Sequence, residues 1–212
     1  MPSKYLSNKE GRLLTSEEIK KAFVFGSGGL AKEIRQYILD INPEVNVFFV
    51  NDYDKSALTL EGYDERRKSI HGSVFGSGKI DIKRKMGNEI RQPYLTVVHP
   101  ASTVHGHINH GCIVAPHAHV GYNAKLGYHV LANYGCTIGH DTVIGDMCVI
   151  GPNSSIGGNC RIGVWTYIGA GVMIKEGISI GTNTVIGMGA VVTKDVPSNV
   201  VAMGVPARWQ KS

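Results

Sequence analysis

His140 and Asp141 stand side by side in the segment TIGHDTVIGD. An imidazole next to a carboxylate can be oriented and charge-stabilised by it, leaving one ring nitrogen free to take a proton. On residue types alone the pair is equally a general base and a polar corner. Six of the nine histidines lie between residues 105 and 129. His105-x-His107 and His117-x-His119 have metal-like spacing, but neither has a third ligand in a fixed register. They read as surface or interface residues. Gly26-Ser27-Gly28-Gly29 can hold a phosphate if a helix begins there, although GxGG departs from the dinucleotide fingerprint GxGxxG. Asn51-Asp52 is placed to bond a ribose or a base edge at the end of a strand. Asn133, in ANYGC, is either part of a site or an asparagine tolerated in a left-handed turn.

These residues fall in two differently organised stretches that meet near His99-Pro100. Residues 1–20 read as a leader, with Thr15 or Ser16 as a helix cap. From Lys21 the pattern is strand (AFVF), glycine turn, and a helix bearing Leu30, Ile34 and Ile38. Further strands are expected at 45–50, 73–75 and 94–98, and a helix near 80–90. The stretch 54–72 is polar and carries no clear pattern. The run Lys79, Lys83, Arg84, Lys85 reads as a solvated helix face. Alternation of this kind implies a parallel sheet flanked by helices, and about 80 residues make one mononucleotide-sized unit rather than a full dinucleotide domain.

After residue 100 the period is six. Stepping in sixes from Ile108 to Val192 meets an aliphatic Ile, Val or Leu at fourteen of fifteen positions, with Ala132 the exception. Glycine follows in ten of the fifteen cases, and the residue two before is usually small, as at Cys112, Ala124, Thr142 and Cys160. Such a repeat fits short strands and sharp turns, three to a coil, stacked as a triangular prism. The aliphatics fill the interior, the small residues lean inward, and glycine relieves the backbone at the corners. The four cysteines, 112, 136, 148 and 160, all occupy the small register, which suits packing rather than thiol chemistry. Residues eighteen apart stack on neighbouring coils, so Tyr122, His140 and Gly158 share one edge.

Composition excludes several classes. The 27 glycines follow no three-residue period, which rules out a collagen-like fibre, and 42% hydrophobic residues argue for a folded core. No apolar run approaches the ~18 residues of a membrane span, and MPSKYLSNKEGRLL lacks a signal peptide's apolar core. The expectation is a cytoplasmic protein with no integral membrane segment. The net charge is +5, but residues 101–212 hold only 6 basic and 4 acidic side chains, too few for a nucleic-acid-binding face.

The segments FVFGSGGLAKEI, FFVNDYD, VVHPASTV, NYGCTIGHDTVIGD and VVTKDVPSNVVAMGVPAR together resemble the family of sialic acid O-acetyltransferases and nucleotide-sugar N-acetyltransferases, over about residues 21–209. The resemblance implies a small Rossmann-like α/β domain (21–100), a left-handed parallel β-helix (101–195) and a C-terminal tail (196–212). It implies a homotrimer with acetyl-CoA between adjacent β-helices and no metal in catalysis. In its terms His140 is the base, Asp141 positions it, Asn133 is a polar partner, and the Gly158 amide meets the thioester oxygen. Gly158, Ala170, Met188 and Lys194 would contact CoA; Gly28, Gly29, Asn51 and Asp52 would hold a nucleotide-linked amino sugar. The family often has two acids where Asn51-Asp52 stands, and a histidine where this chain has Val149. The implied reaction is direct acetyl transfer to a sugar amine. Two other enzymes remain as alternatives: an O-acetyltransferase acting on a sialic-acid-like sugar, and a metal-dependent hydratase of the β-helical carbonic anhydrase sort, built from His105, His107, His110, His117, His119 and His129. A third alternative is an inert scaffold.

Overall fold

The computed structural model describes residues 6–7, 13–14, 19–66, 71–87 and 94–211, and the chain divides into two compact units, Met1–Pro100 and Ala101–Ser212. In the first unit, strand Lys21–Phe25 runs between strands Asn46–Val50 and His71–Phe75, all parallel. Being central, it is buried on both faces, and Ala22 through Phe25 have no exposed surface. Helix Gly29–Ile41 starts within the glycine turn and buries Ala31, Ile34, Tyr37, Ile38 and Ile41, one apolar stripe at helical spacing. Leu30, expected on that stripe, instead lines a cleft at the strand ends. The helix stops at Asn42, ahead of Pro43, which cannot extend it.

The stretch without pattern holds a seven-residue helix, Leu60–Arg66. Its single apolar anchor, Tyr63, packs edge-on against Phe23 and Phe25 with ring centroids 5.0 Å away, and its hydroxyl meets Ser73 Oγ at 3.0 Å. Helix Ile80–Met86 overturns part of the solvated-face reading. Lys83 is 1% exposed, with its ammonium 5.8 Å from the centre of the Phe75 ring. The helix turns position 83 toward the sheet, so the lysine's alkyl stem is packed and its charge meets an aromatic face. The expected strand 94–98 is a bridge from Tyr94 to Ser73 and a two-residue strand, Val97–Val98. A short antiparallel pair, Leu6–Ser7 with Leu13–Leu14, lies in the leader, while the expected caps Thr15 and Ser16 fall outside the described residues.

The second unit is a three-faced prism of parallel strands. Face one stacks Thr103–Val104, His119–Val120, Thr137–Ile138, Ser155–Ile156, Met173–Ile174 and Val191–Val192. Face two runs from His107–Ile108 to Ser179–Ile180. Face three carries Ile113–Val114, Leu131–Ala132, Val149–Ile150, Tyr167–Ile168 and Val185–Ile186, then Val200–Met203 and an antiparallel last strand, Arg208–Lys211. Every sixth residue from Val114 to Val192 is buried, Ala132 included; Ile108, on the first coil, is half-buried.

The small inward register has a second reason besides space. Cys112, Thr142, Cys148, Cys160 and Thr166 each donate a side-chain hydrogen to the carbonyl fifteen residues ahead, at 2.9–3.3 Å. These are buried donors answered by the next coil. Burial pushes the Cys136 thiol up to about 12 and raises Cys160 as well, so neither is a ready nucleophile. The corners correct one expectation. Left-handed backbone falls not at the glycine after each aliphatic but two residues later, as at Asn123, Asp141, Asn159 and Asn183. The glycine is required by close approach: a Cβ on Gly139 would stand 2.5 Å from the Gly158 amide nitrogen.

Candidate active site

His140 lies two residues after Ile138, where the chain leaves face one, and its side chain is 61% exposed in the single chain. Asp141 occupies the left-handed position, φ 57°, which turns its carboxylate back along the corner. The His140 Nδ1–H donates to Asp141 Oδ2 at 2.9 Å. The other carboxylate oxygen, Oδ1, accepts the Asn123 side-chain amide at 2.7 Å. Hydrogen bonds from Asn123 first and His140 second hold the Asp141 carboxyl below the usual carboxylate range. With Nδ1 so bonded, the nitrogen left to accept a proton is Nε2. That atom lies against Gly158: a Cβ there would come within 2.6 Å of it. Glycine at 158 makes room for the ring.

Strand pairing puts further residues on this edge. Tyr122 stacks before His140, and Glu176 and Lys194 follow Gly158, each two residues past a paired strand. Ala170 and Met188 sit on another edge, where face three ends, stacked by the Ile168–Ile186 pairing. Asn133 begins the corner after face three, a different corner from that of His140, and its side-chain oxygen accepts the Tyr134 amide at 2.8 Å. Within one chain the structure therefore brings together His140, Asp141 and Gly158, carries Lys194 on the same edge three coils beyond His140, and leaves Asn133, Ala170 and Met188 on another edge. Val149 is buried on face three.

The histidines near the start of the prism are dispersed. The His105 and His119 rings lie 5.9 Å apart, and His110 stacks on Tyr128 at 6.2 Å on the edge after face two. His107 points out from face two; His117 and His129 occupy left-handed corners. Among the described residues no group of three or more His, Cys, Asp or Glu is placed to hold a metal ion.

The first unit has its own cleft, of about 700 Å³, at the carboxyl ends of its strands. Gly28, Gly29, Asn51 and Asp52 all line it, with Ser27, Tyr53, Ser77, Lys79 and Lys85 among their neighbours. The helix start at Gly28-Gly29 has no side-chain cap hydrogen bond and lies on this cleft. Asn51 donates to Ser27 Oγ at 2.8 Å, tying the second strand's end to the glycine turn. Asp52 Oδ1 accepts the Leu60 amide at 2.8 Å and so holds the start of the short helix. Asp54, which sequence reasoning passed over, is held down to about 2 by bonds from Ser27 and Ser56. Asn123 was also passed over. Its signal is its position, one coil of eighteen residues before Asp141.

Residues 141–175 match the model of the bacterial transferase hexapeptide family (six repeats). Perosamine N-acetyltransferase of Caulobacter crescentus, a histidine-to-asparagine mutant in complex with CoA and GDP-perosamine, superimposes with a TM-score of 0.83, 23% identity, and coverage of 91% of this chain and 97% of that one. The acetyltransferase domain of PglB from Neisseria gonorrhoeae FA1090, with acetyl coenzyme A, gives 0.82 at 24% identity over 90% and 98%. Galactoside O-acetyltransferase of Escherichia coli K12 is 57% identical over 37 residues, 18% of this chain and 18% of that relative's length. No helix among the described residues is long and apolar enough to cross a membrane. The chain thus shares the fold of these two solved structures, a small α/β unit followed by a left-handed parallel β-helix, and carries hexapeptide repeats in its second unit.

Proposed function

We propose that the protein transfers the acetyl group of acetyl-CoA to the amino group of a nucleotide-linked amino sugar. The observation that carries this reading is the His140–Asp141 pair on a prism edge, with Nδ1 bonded and Nε2 turned to Gly158. In this reaction the sugar amine attacks the thioester carbonyl. The amine's proton passes to His140 Nε2, the carbon–sulfur bond breaks, and CoA leaves as the thiol after taking a proton. Asp141 keeps the Nδ1–H tautomer and stabilises the imidazolium that forms. The Gly158 amide is assigned to the developing oxyanion, where a fixed donor lowers the barrier most. No acyl-enzyme is required, which accords with cysteines committed to the prism interior.

The relatives' ligands support the two substrate classes: one solved structure is described with CoA and a GDP-linked sugar, the other with acetyl-CoA. The cleft of the α/β unit is assigned to the nucleotide, with the uncapped helix start, Lys79 and Lys85 suited to phosphates and Asn51 and Asp52 to ribose or base. Gly158 and Lys194 on one edge, with Ala170 and Met188 on another, are assigned to CoA. Because these two sets share no edge in one chain, a complete donor site takes an edge from each of two copies, and we assign a homotrimer.

The test is a thiol-release assay with acetyl-CoA and UDP-, GDP-, dTDP- and CMP-linked amino sugars, beside their hydroxyl counterparts. Release with an amino sugar nucleotide is expected. Release confined to hydroxyl acceptors, or none with any acceptor, overturns the assignment.

A further inference from the structure

The Asp141 side chain is 42% exposed, so the prism packing does not by itself fix its carboxylate. Its two oxygens have different partners on different coils: Oδ2 meets His140 Nδ1, and Oδ1 accepts the Asn123 side-chain N–H. Asn123 is itself left-handed, φ 56°, directly beneath Asp141 at φ 57° in the same corner. Since a carboxylate only accepts, the Asn123 amide must present its NH₂ to Asp141, which fixes the orientation of both groups. We propose that Asn123 is a positioning residue for acetyl transfer: by pinning one oxygen of Asp141 it fixes the other on His140 Nδ1, and so keeps Nε2 bare beside Gly158. This rests on the acetyltransferase reading of His140. If the carboxylate rotates away, the ring proton can move to Nε2, and the nitrogen that must accept the substrate's proton is blocked.

A structural alternative is built into the same molecule. Asn183, φ 53°, donates to Asn199 Oδ1 at 2.8 Å across neighbouring turns at another corner, with no imidazole attached. If the Asn123 bond merely clamps successive coils, it should behave like that one.

The experiment compares Asn123→Gly, Asn123→Asp and Asn183→Gly in the full chain. Glycine accepts the left-handed backbone without strain, so the first and third remove only side chains. Aspartate keeps the shape of Asn123 but replaces the donor with a second carboxylate. Both Asn123 variants should lower kcat roughly tenfold while the KM values for acetyl-CoA and acceptor stay within about twofold. Asn183→Gly should leave kcat unchanged. The ring nitrogens of His140, identified in ¹⁵N spectra by comparison with His140→Gln, should report the Nδ1–H tautomer in the unmodified protein and a shift toward Nε2–H in Asn123→Gly. Full activity in Asn123→Asp overturns the proposal, as do equal losses of kcat in Asn123→Gly and Asn183→Gly that follow their melting temperatures. Absence of acetyl transfer in the unmodified protein defeats the functional reading alone. The tautomer then decides for Asn123, and an unchanged Nδ1–H signal in Asn123→Gly overturns it.

Discussion

A general base needs one nitrogen bare and the rest of its ring held, and the His140 corner meets both needs with few residues. Replacing His140 by alanine should lower turnover by roughly 10²–10⁴-fold, the usual contribution of a positioned base, with the melting curve unchanged. Asp141→Asn should cost less, because it tunes proton transfer without performing it. Steady-state kinetics at saturating acceptor check both, and near-native turnover in His140→Ala removes the base assignment. Gly158 offers a second probe on the same atom. The backbone there tolerates alanine, but its Cβ would press on the imidazole at 2.6 Å from Nε2. Gly158→Ala should therefore displace the ring and lower kcat by about 10²-fold, the cost of misplacing a reacting group by an ångström. An active Gly158→Ala enzyme with unchanged stability would show that the ring does not work from this position. His140 and Gly158 were legible in the sequence because a six-residue period fixes which residues stack. Asn123 was not, since stacking alone does not say which way a corner side chain turns. The left-handed φ at positions 123 and 141 decides that.

Short elements in the α/β unit carry more than their length suggests. The helix Leu60–Arg66 is held at one end by Asp52 and through its middle by Tyr63, and a seven-residue helix is marginal without such contacts. Asp52 thus has two separable duties: a cap through Oδ1 and, in the proposed function, an acceptor for ribose or base. Asp52→Asn keeps an oxygen for the Leu60 amide but loses the charge, so it should raise the acceptor KM with melting unchanged. Asp52→Ala should do both, costing about 1 kcal/mol of stability as a lost cap and weakening acceptor binding by one to two powers of ten, about 1.5–3 kcal/mol. An equal rise in the KM for acetyl-CoA would break the separation of the two substrate sites. Asp54 adds a pH dependence. Its carboxyl is lowered in the fold to about 2 from 3.8 by Ser27 and Ser56, so its contribution is present above the higher value and lost as pH falls through the lower. The melting deficit of Asp54→Asn should be modest at pH 6 and vanish near pH 2; a deficit that persists there assigns it to packing. The sequence announced the long elements, because Ile34 and Ile38 or the sixfold aliphatics repeat a period. It did not announce Leu60–Arg66, where one buried tyrosine gives no period, nor the burial of Lys83, where packing overrides the type of residue.

At the scale of the whole molecule, the residues assigned to acetyl-CoA mark two edges of one prism. His140, Gly158 and Lys194 follow face one, while Ala170 and Met188 follow face three. The exposure of His140 in a single chain fits a site that another copy completes. Light scattering should therefore give a trimer of the 22.9 kDa chain, and a fully active monomer would refute the assignment. Mixing two inactive variants gives a stricter test. His140→Ala destroys the first edge and leaves the second intact; Ala170→Glu places a carboxylate among the CoA contacts of the second edge and leaves the first intact. Each homotrimer should be inactive. In a closed ring every site pairs the first edge of one copy with the second edge of its neighbour, so equal random mixing makes about a quarter of the sites fully native. Co-refolding or co-expressing the two variants should accordingly restore about a quarter of native turnover, whereas mixing them already assembled should restore activity only as subunits exchange. If the two edges serve sites within single copies, every chain in the mixture still carries one damaged edge, and no activity returns. Recovery on mixing would thus place Ala170 opposite His140 across a subunit boundary, and its absence, with mixed trimers demonstrated by mass, would return the donor site to a single chain.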